Sequence, residues 1–186
     1  MDLVSNSFCS GSNVLGNGSW INVGGNARVT AGGVGIPQGG ANPYGSADGG
    51  KAVRMFTPCG DASDCAWTDD VGAMPISRWY PTVETLEDGT ALIIGGGAFS
   101  ALSSALGRLT TPPSELYGSF VNTPQGGQNV PSAEYWPSRG EPFTVRLLEE
   151  TMPVNLYPLT WLLSDGRLFM QVGQFLSRLS HFLEPL

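Results

Sequence analysis

Three segments of this chain follow one template, and that repeat restricts the fold more than any other feature. Residues 15–25 read LGNGSWINVGG, residues 86–96 read LEDGTALIIGG and residues 163–173 read LSDGRLFMQVG. Each has a leucine, a short polar turn ending in glycine, a mostly apolar strand and a glycine exit. Asn-Gly and Asp-Gly supply the positive φ that a tight hairpin turn demands, so each segment reads as strand, turn, strand, glycine exit. The turn glycines Gly18, Gly89 and Gly166 stand 71 and 77 residues apart. That exceeds the roughly 40–50 residue period of common propeller blades and leaves room for outer strands and long loops. Stacked hairpins of this kind point to a β-propeller; a β-sandwich with repeated hairpins is the alternative.

Composition agrees with an all-β chain. Of 186 residues, 26 are glycine and 14 proline, and only 13% are charged, so short apolar runs are broken everywhere by turn formers. The net charge of −7 argues against nucleic acid, because phosphate binding needs a basic surface. The nine Lys and Arg residues are scattered, which disfavours an anionic membrane surface as well. No apolar run approaches the roughly 18–20 residues of a membrane span. The opening MDLVSNSFCSG lacks a basic segment followed by a long apolar one, so no signal peptide is expected in this chain.

The template also extends backwards. Nine residues before each turn glycine stand Cys9, Tyr80 and Tyr157, the latter two heading YP dipeptides. Equivalent positions on successive units lie around a common axis at one end, so Cys9 and Tyr80 are expected to be spatial neighbours despite their separation in sequence. Cys59 and Cys65 bracket a short polar loop; they suit a local disulfide in an oxidising compartment and are spaced too widely for a redox CxxC. Among the aromatic residues, Trp20, Trp67, Trp79, Trp136 and Trp161 are expected to pack between units, and Tyr157 to line the axis. Arg78 is expected in a surface salt link. Asp61, Asp64, Asp69 and Asp70 lack calcium-loop spacing and are expected to form a solvated acidic loop. Asn17-Gly18-Ser19 matches a glycosylation sequon, but its Asn-Gly also makes the turn, which disfavours occupancy.

FCSG at 8–11 followed by LGNGSWINVGGN, then RWYPTVETLEDGTALIIGG and NLYPLTWLLSDGRLFMQ, resembles the N-terminal part of the fungal glyoxal oxidases, which stand with galactose oxidase among the copper radical oxidases. The resemblance spans about residues 2–171, and the segment 97–120 fits it least and reads as an insertion. It implies a seven-bladed propeller with kelch-like blades, of which about three are represented here: a partial N-terminal propeller over 1–173 and a divergent tail over 174–186. It further implies that Cys9 forms a thioether to the ring of Tyr80, that Tyr80 binds copper, and that the modified tyrosine holds a stable radical. Copper alone is a one-electron centre, so a two-electron oxidation needs this second redox group. The implied activity is oxidation of small aldehydes to carboxylic acids, with O2 reduced to H2O2, in an extracellular protein.

The family site also needs two imidazoles and an axial tyrosine, supplied by a Tyr-His pair and a later histidine. The one histidine here, His181, follows Ser180 in the divergent tail and reads as a solvated residue. A copper site built from Tyr80 alone has too few suitable donors. The expectation is therefore that this chain by itself carries neither copper nor the Cys9–Tyr80 crosslink and is inactive alone. The alternative function is a non-catalytic extracellular propeller module that binds a glycan or protein partner.

Overall fold

The computed structural model describes residues 3–31, 36, 42–61, 65–98, 128–151, 155–173 and 175–179. His181, Asp64 and nearly all of the 97–120 segment lie outside the described residues. Antiparallel strands dominate, arranged in three main sheets. The first orders β1 (Gly11–Val14), β2 (Trp20–Val23), β3 (Val53–Phe56) and β4 (Trp67–Asp70) side by side. The second runs from β5 (Thr82–Thr85) through β6 (Ala91–Ile94) and β9 (Ser132–Trp136) to β10 (Phe143–Thr144). The third holds β11 (Leu159–Leu162), β12 (Leu168–Val172) and β13 (Phe175–Leu179). A two-stranded ribbon, β7 (Gly97–Ala98) with β8 (Gln128–Asn129), and a five-residue helix, α1 (Arg146–Glu150), complete the described elements. None of the described helices is long and apolar enough to cross a membrane.

The three template segments form three hairpins with one turn geometry. In each, the leucine N–H donates to a carbonyl four residues on, and the turn glycine N–H donates back to the leucine carbonyl: Leu15 with Ser19 and Gly18, Leu86 with Thr90 and Gly89, Leu163 with Arg167 and Gly166. The Asn or Asp before each turn glycine accepts the backbone N–H two residues on, through Asn17, Asp88 and Asp165. The turn glycines sit at φ values of 83°, 80° and 77°, where a β-carbon is strained.

The first strand of each unit is adjacent to that of the next, β1 to β5 and β5 to β11. Side chains stitch these neighbours: Asn13 Nδ2 donates to the Val83 carbonyl, Thr85 Oγ1 to the Val14 carbonyl, and Thr160 Oγ1 to Glu84 Oε2. The sheets pack face to face through two apolar clusters. Ile21, Val23 and Val53 of the first sheet meet Val83, Ala91 and Ile93 of the second. Leu92 and Ile94 of the second meet Leu168, Met170 and Val172 of the third, with Leu147 and Leu148 of α1 closing the edge. The middle sheet is thus covered on both sides, which explains why β6 is the unbroken apolar run ALII whereas β12 alternates. Each fully buried Leu or Ile in these layers contributes about 1.5–3 kcal/mol.

Two aromatic expectations need correction. Trp20 and Trp161 are not packed between sheets but 55% and 47% exposed. Cross-strand register explains it: Trp20 opposes Phe56, which opposes Trp67, and Trp161 opposes Phe169. These rows occupy the faces of the first and third sheets turned away from the middle one. Trp79, by contrast, is buried.

Candidate functional site

The residues nine before the turn glycines converge. Tyr80 N–H donates to the Cys9 carbonyl at 2.9 Å, and Tyr157 N–H donates to the Tyr80 carbonyl at 2.9 Å. A single line of backbone hydrogen bonds therefore joins the three equivalent positions across three sheets. Cys9, Tyr80 and Tyr157 are also the described non-glycine residues with positive φ, at 58°, 59° and 45°. An L-residue there costs about 1–2 kcal/mol, so surrounding contacts must hold it. Pro81 and Pro158 help by disfavouring right-handed helical geometry at the residue before each.

Glycine exits supply the rest of the grip. Gly25 N–H donates to the Arg78 carbonyl and, one unit later, Gly96 N–H donates to that of Asn155, each at 2.9 Å. At Gly96 (φ 88°) a β-carbon would stand 2.7 Å from the Trp79 carbonyl oxygen and 3.1 Å from Pro81 N. Only glycine lets that strand end lie against the segment carrying Tyr80.

Side-chain chemistry concentrates at Tyr80. Burial, followed by interaction with the Cys9 side chain and then Tyr157, pushes the pKa of its phenol well above the ordinary value. The Trp79 ring lies 4.4 Å away, and the Tyr157 ring approaches edge-on at 5.0 Å. Tyr157 reaches back to the first unit, its hydroxyl donating to the Ser10 carbonyl at 3.3 Å. Burial, then the Cys9 charge, raises its pKa too. Cys9 is a half-buried free thiol, whereas Cys59 and Cys65 are disulfide-bonded with Cα atoms 5.7 Å apart. A cleft of about 720 Å³ opens beside Tyr80, lined by Ser5, Asn6, Phe8, Asn26, Tyr44, Trp79 and Tyr80 among others.

Arg78 is not in a surface salt link. It is fully buried, its Nε 2.7 Å from Glu134 Oε1 on β9. Its Nη1 donates to the Gly95 and Ser132 carbonyls and its Nη2 to Ser132 Oγ. Desolvation pulls its pKa below the ordinary value and Glu134 opposes that. Arg54 on β3 does the same job one unit earlier: Nη1 donates to the Gly24 carbonyl at 2.7 Å, with Asp69 as its counter-charge. Gly24 and Gly95 are equivalent in the template, so two arginines from unrelated places brace the same exit. Asp69 is correspondingly not part of a solvated loop; it lies on β4 and accepts the backbone N–H groups of Val4 and Ser5 and the Ser5 hydroxyl. Sequence reasoning missed both clamps. The one available signal was an acidic residue, Glu134, inside the apolar strand SAEYW, which requires a buried cation.

The implied copper can be tested against these donors. Beside Tyr80 stand a thiol and a second phenol, and among the described residues no three His, Cys, Asp or Glu side chains converge. Copper(II) is suited by imidazole nitrogen, and the described residues include none. This donor set does not fit a complete copper centre.

No family model matches the chain. Two curated plant proteins do: aldehyde oxidase GLOX of Vitis pseudoreticulata, 27% identical over 177 residues and 91% of this chain, and aldehyde oxidase GLOX1 of Arabidopsis thaliana, 27% identical over 168 residues and 90%. The chain spans only 24% and 20% of their lengths. Matched along nine tenths of its own length, this chain is a distant, glyoxal-oxidase-like relative of the plant aldehyde oxidases.

Proposed function

We propose that the chain is the N-terminal portion of a copper radical oxidase of glyoxal oxidase type, its three sheets serving as blades of a propeller. The reaction is RCHO + H2O + O2 → RCOOH + H2O2 on small aldehydes. The observation that carries this reading is the juxtaposition of Cys9 and Tyr80, joined by the hydrogen bond from the Tyr80 N–H to the Cys9 carbonyl at 2.9 Å and held at equivalent left-handed positions of neighbouring units. That backbone contact makes Cys9 and Tyr80 spatial neighbours, as a thioether bond from the sulfur to the ring would require. The Cys59–Cys65 disulfide favours an oxidising, extracellular setting. Copper when bound supplies the one-electron partner of the Tyr80 radical; with imidazoles lacking around Tyr80, the described segment does not hold it alone.

Two measurements test the reading. Copper-loaded chain, given a small aldehyde and a peroxidase-coupled assay, is expected to yield no aldehyde-dependent H2O2. Intact mass is expected to show two hydrogens lost to the Cys59–Cys65 disulfide and no more. Turnover, or a further loss of two hydrogens on copper and air exposure, would show that the chain carries a working ligand set and overturn the claim that it is inactive alone. The pairing itself fails if crosslinking in a full-length relative carrying the equivalent residues maps elsewhere.

A further inference from the structure

We propose that Tyr157 is a positioning residue for the Cys9–Tyr80 pair, a clasp that closes over it from the third unit. The proposal rests on the reading that Cys9 and Tyr80 are the reactive pair. Tyr157 touches Tyr80 at two points and the residue after Cys9 at a third. Its backbone N–H holds the Tyr80 carbonyl at 2.9 Å, its ring meets the Tyr80 ring edge-on at 5.0 Å, and its hydroxyl reaches the carbonyl of Ser10, the residue after Cys9, at 3.3 Å. One side chain therefore spans the units that supply the phenol and the thiol. The hydroxyl contact is long for an O–H donor and contributes direction more than strength. The edge-to-face ring contact is the stronger part.

Position 157 also departs from what packing alone would select. A tyrosine that merely filled core would be buried, yet Tyr157 is 40% exposed while its left-handed backbone remains strained. Its ring meets that of Tyr80 edge-on and joins neither apolar cluster. The consequence is that removing the Tyr157 ring frees the segment carrying Cys9 and Ser10 and makes the half-buried thiol more accessible.

Cys9 gives a clean readout, because it is the one thiol left outside the disulfide among three cysteines. The probe is dithionitrobenzoate. The Cys9 thiolate attacks the reagent disulfide, a mixed disulfide forms, and one thionitrobenzoate leaves with the electron pair of the broken S–S bond. Tyr157→Ala is expected to raise the rate about tenfold, and Tyr157→Phe, which keeps the ring and loses only the Ser10 contact, by about twofold. Trp161→Ala, an exposed change on the same third unit, is expected to leave the rate unchanged. Parental rates for Tyr157→Ala would overturn the proposal. So would an equal acceleration by Trp161→Ala, which would mean that any loosening of the third sheet suffices. Both outcomes are independent of oxidase activity, and a chain with no titratable thiol would instead signal the crosslink and bear on the reading beneath.

Discussion

Replacing Glu134 by glutamine isolates the cost of a buried, uncompensated charge. In the parent, the Arg78 guanidinium is fully buried, with Glu134 at 2.7 Å as its counter-charge and three further acceptors on Gly95 and Ser132. Glutamine keeps the shape and one acceptor oxygen but removes the negative charge. Breaking a buried pair by removing one partner costs about 3–5 kcal/mol. The remaining acceptors place this variant near the lower end, so about 3 kcal/mol is expected. For a chain of this size each kcal/mol moves Tm by about 2–4 °C, so Tm should fall by about 6–12 °C. Urea unfolding followed by tryptophan fluorescence measures the loss directly, provided the m-value is unchanged. The double variant Arg78→Met/Glu134→Leu removes the uncompensated charge but leaves the Gly95 and Ser132 carbonyls without Arg78, so it should recover only part of the loss. If Glu134→Gln costs under about 1 kcal/mol, as an exposed ion pair would, the argument that Arg78 depends on Glu134 is refuted.

The surface offers the contrast. Asp88, hydrogen-bonded by Arg139 and then Thr90, has its pKa lowered to about 2. A depressed carboxylate stabilises the fold above its unfolded pKa and loses that contribution as pH falls through the folded value, here between about pH 4 and pH 2. Both side chains are more than a third exposed, so screening keeps the effect under about 1 kcal/mol. Acid titration of Asp88→Asn should run nearly parallel to the parent above pH 4 and flatten slightly below it; a large gap at neutral pH would contradict this. Glycine replacements separate strain from crowding. Gly18→Ala meets open space and should cost about 1–2 kcal/mol from its left-handed backbone alone, whereas Gly96→Ala adds a clash with the Trp79 carbonyl and should cost at least twice as much. Equal losses on denaturant titration would show that the close approach at Gly96 is unimportant.

The hairpins were readable because turn chemistry is local: Asn-Gly and Asp-Gly carry their own backbone preference and their own side-chain hydrogen bond. The Cys9–Tyr80 juxtaposition was readable because a repeat carries a position from one unit to the next without any knowledge of contacts. Burial was harder. Arg78 looks like any strand-flanking cation until Glu134, 56 residues later, is placed beside it. The exposure of Trp20 and Trp161 depends on which sheet face turns outward. Period-two patterning divides a strand into two faces but does not say which face meets a neighbour. Asp69 was grouped with the acidic loop because its partners, Val4 and Ser5, come from the far end of the first unit.

The left-handed positions at Cys9, Tyr80 and Tyr157 have a further consequence. Because the backbone there is held by the line of hydrogen bonds between units and, after Tyr80 and Tyr157, by a following proline, each copy of the unit presents a socket at the same end of the molecule, and the occupant can change while the frame stays. Histidine is among the residues that tolerate left-handed geometry best. Tyr157→His would therefore seat an imidazole against Tyr80 with little backbone penalty, using a slot that the repeat has already built. A chain made of duplicated hairpins thus carries, in its strained residues, a ready address at which new chemistry can be installed one side chain at a time.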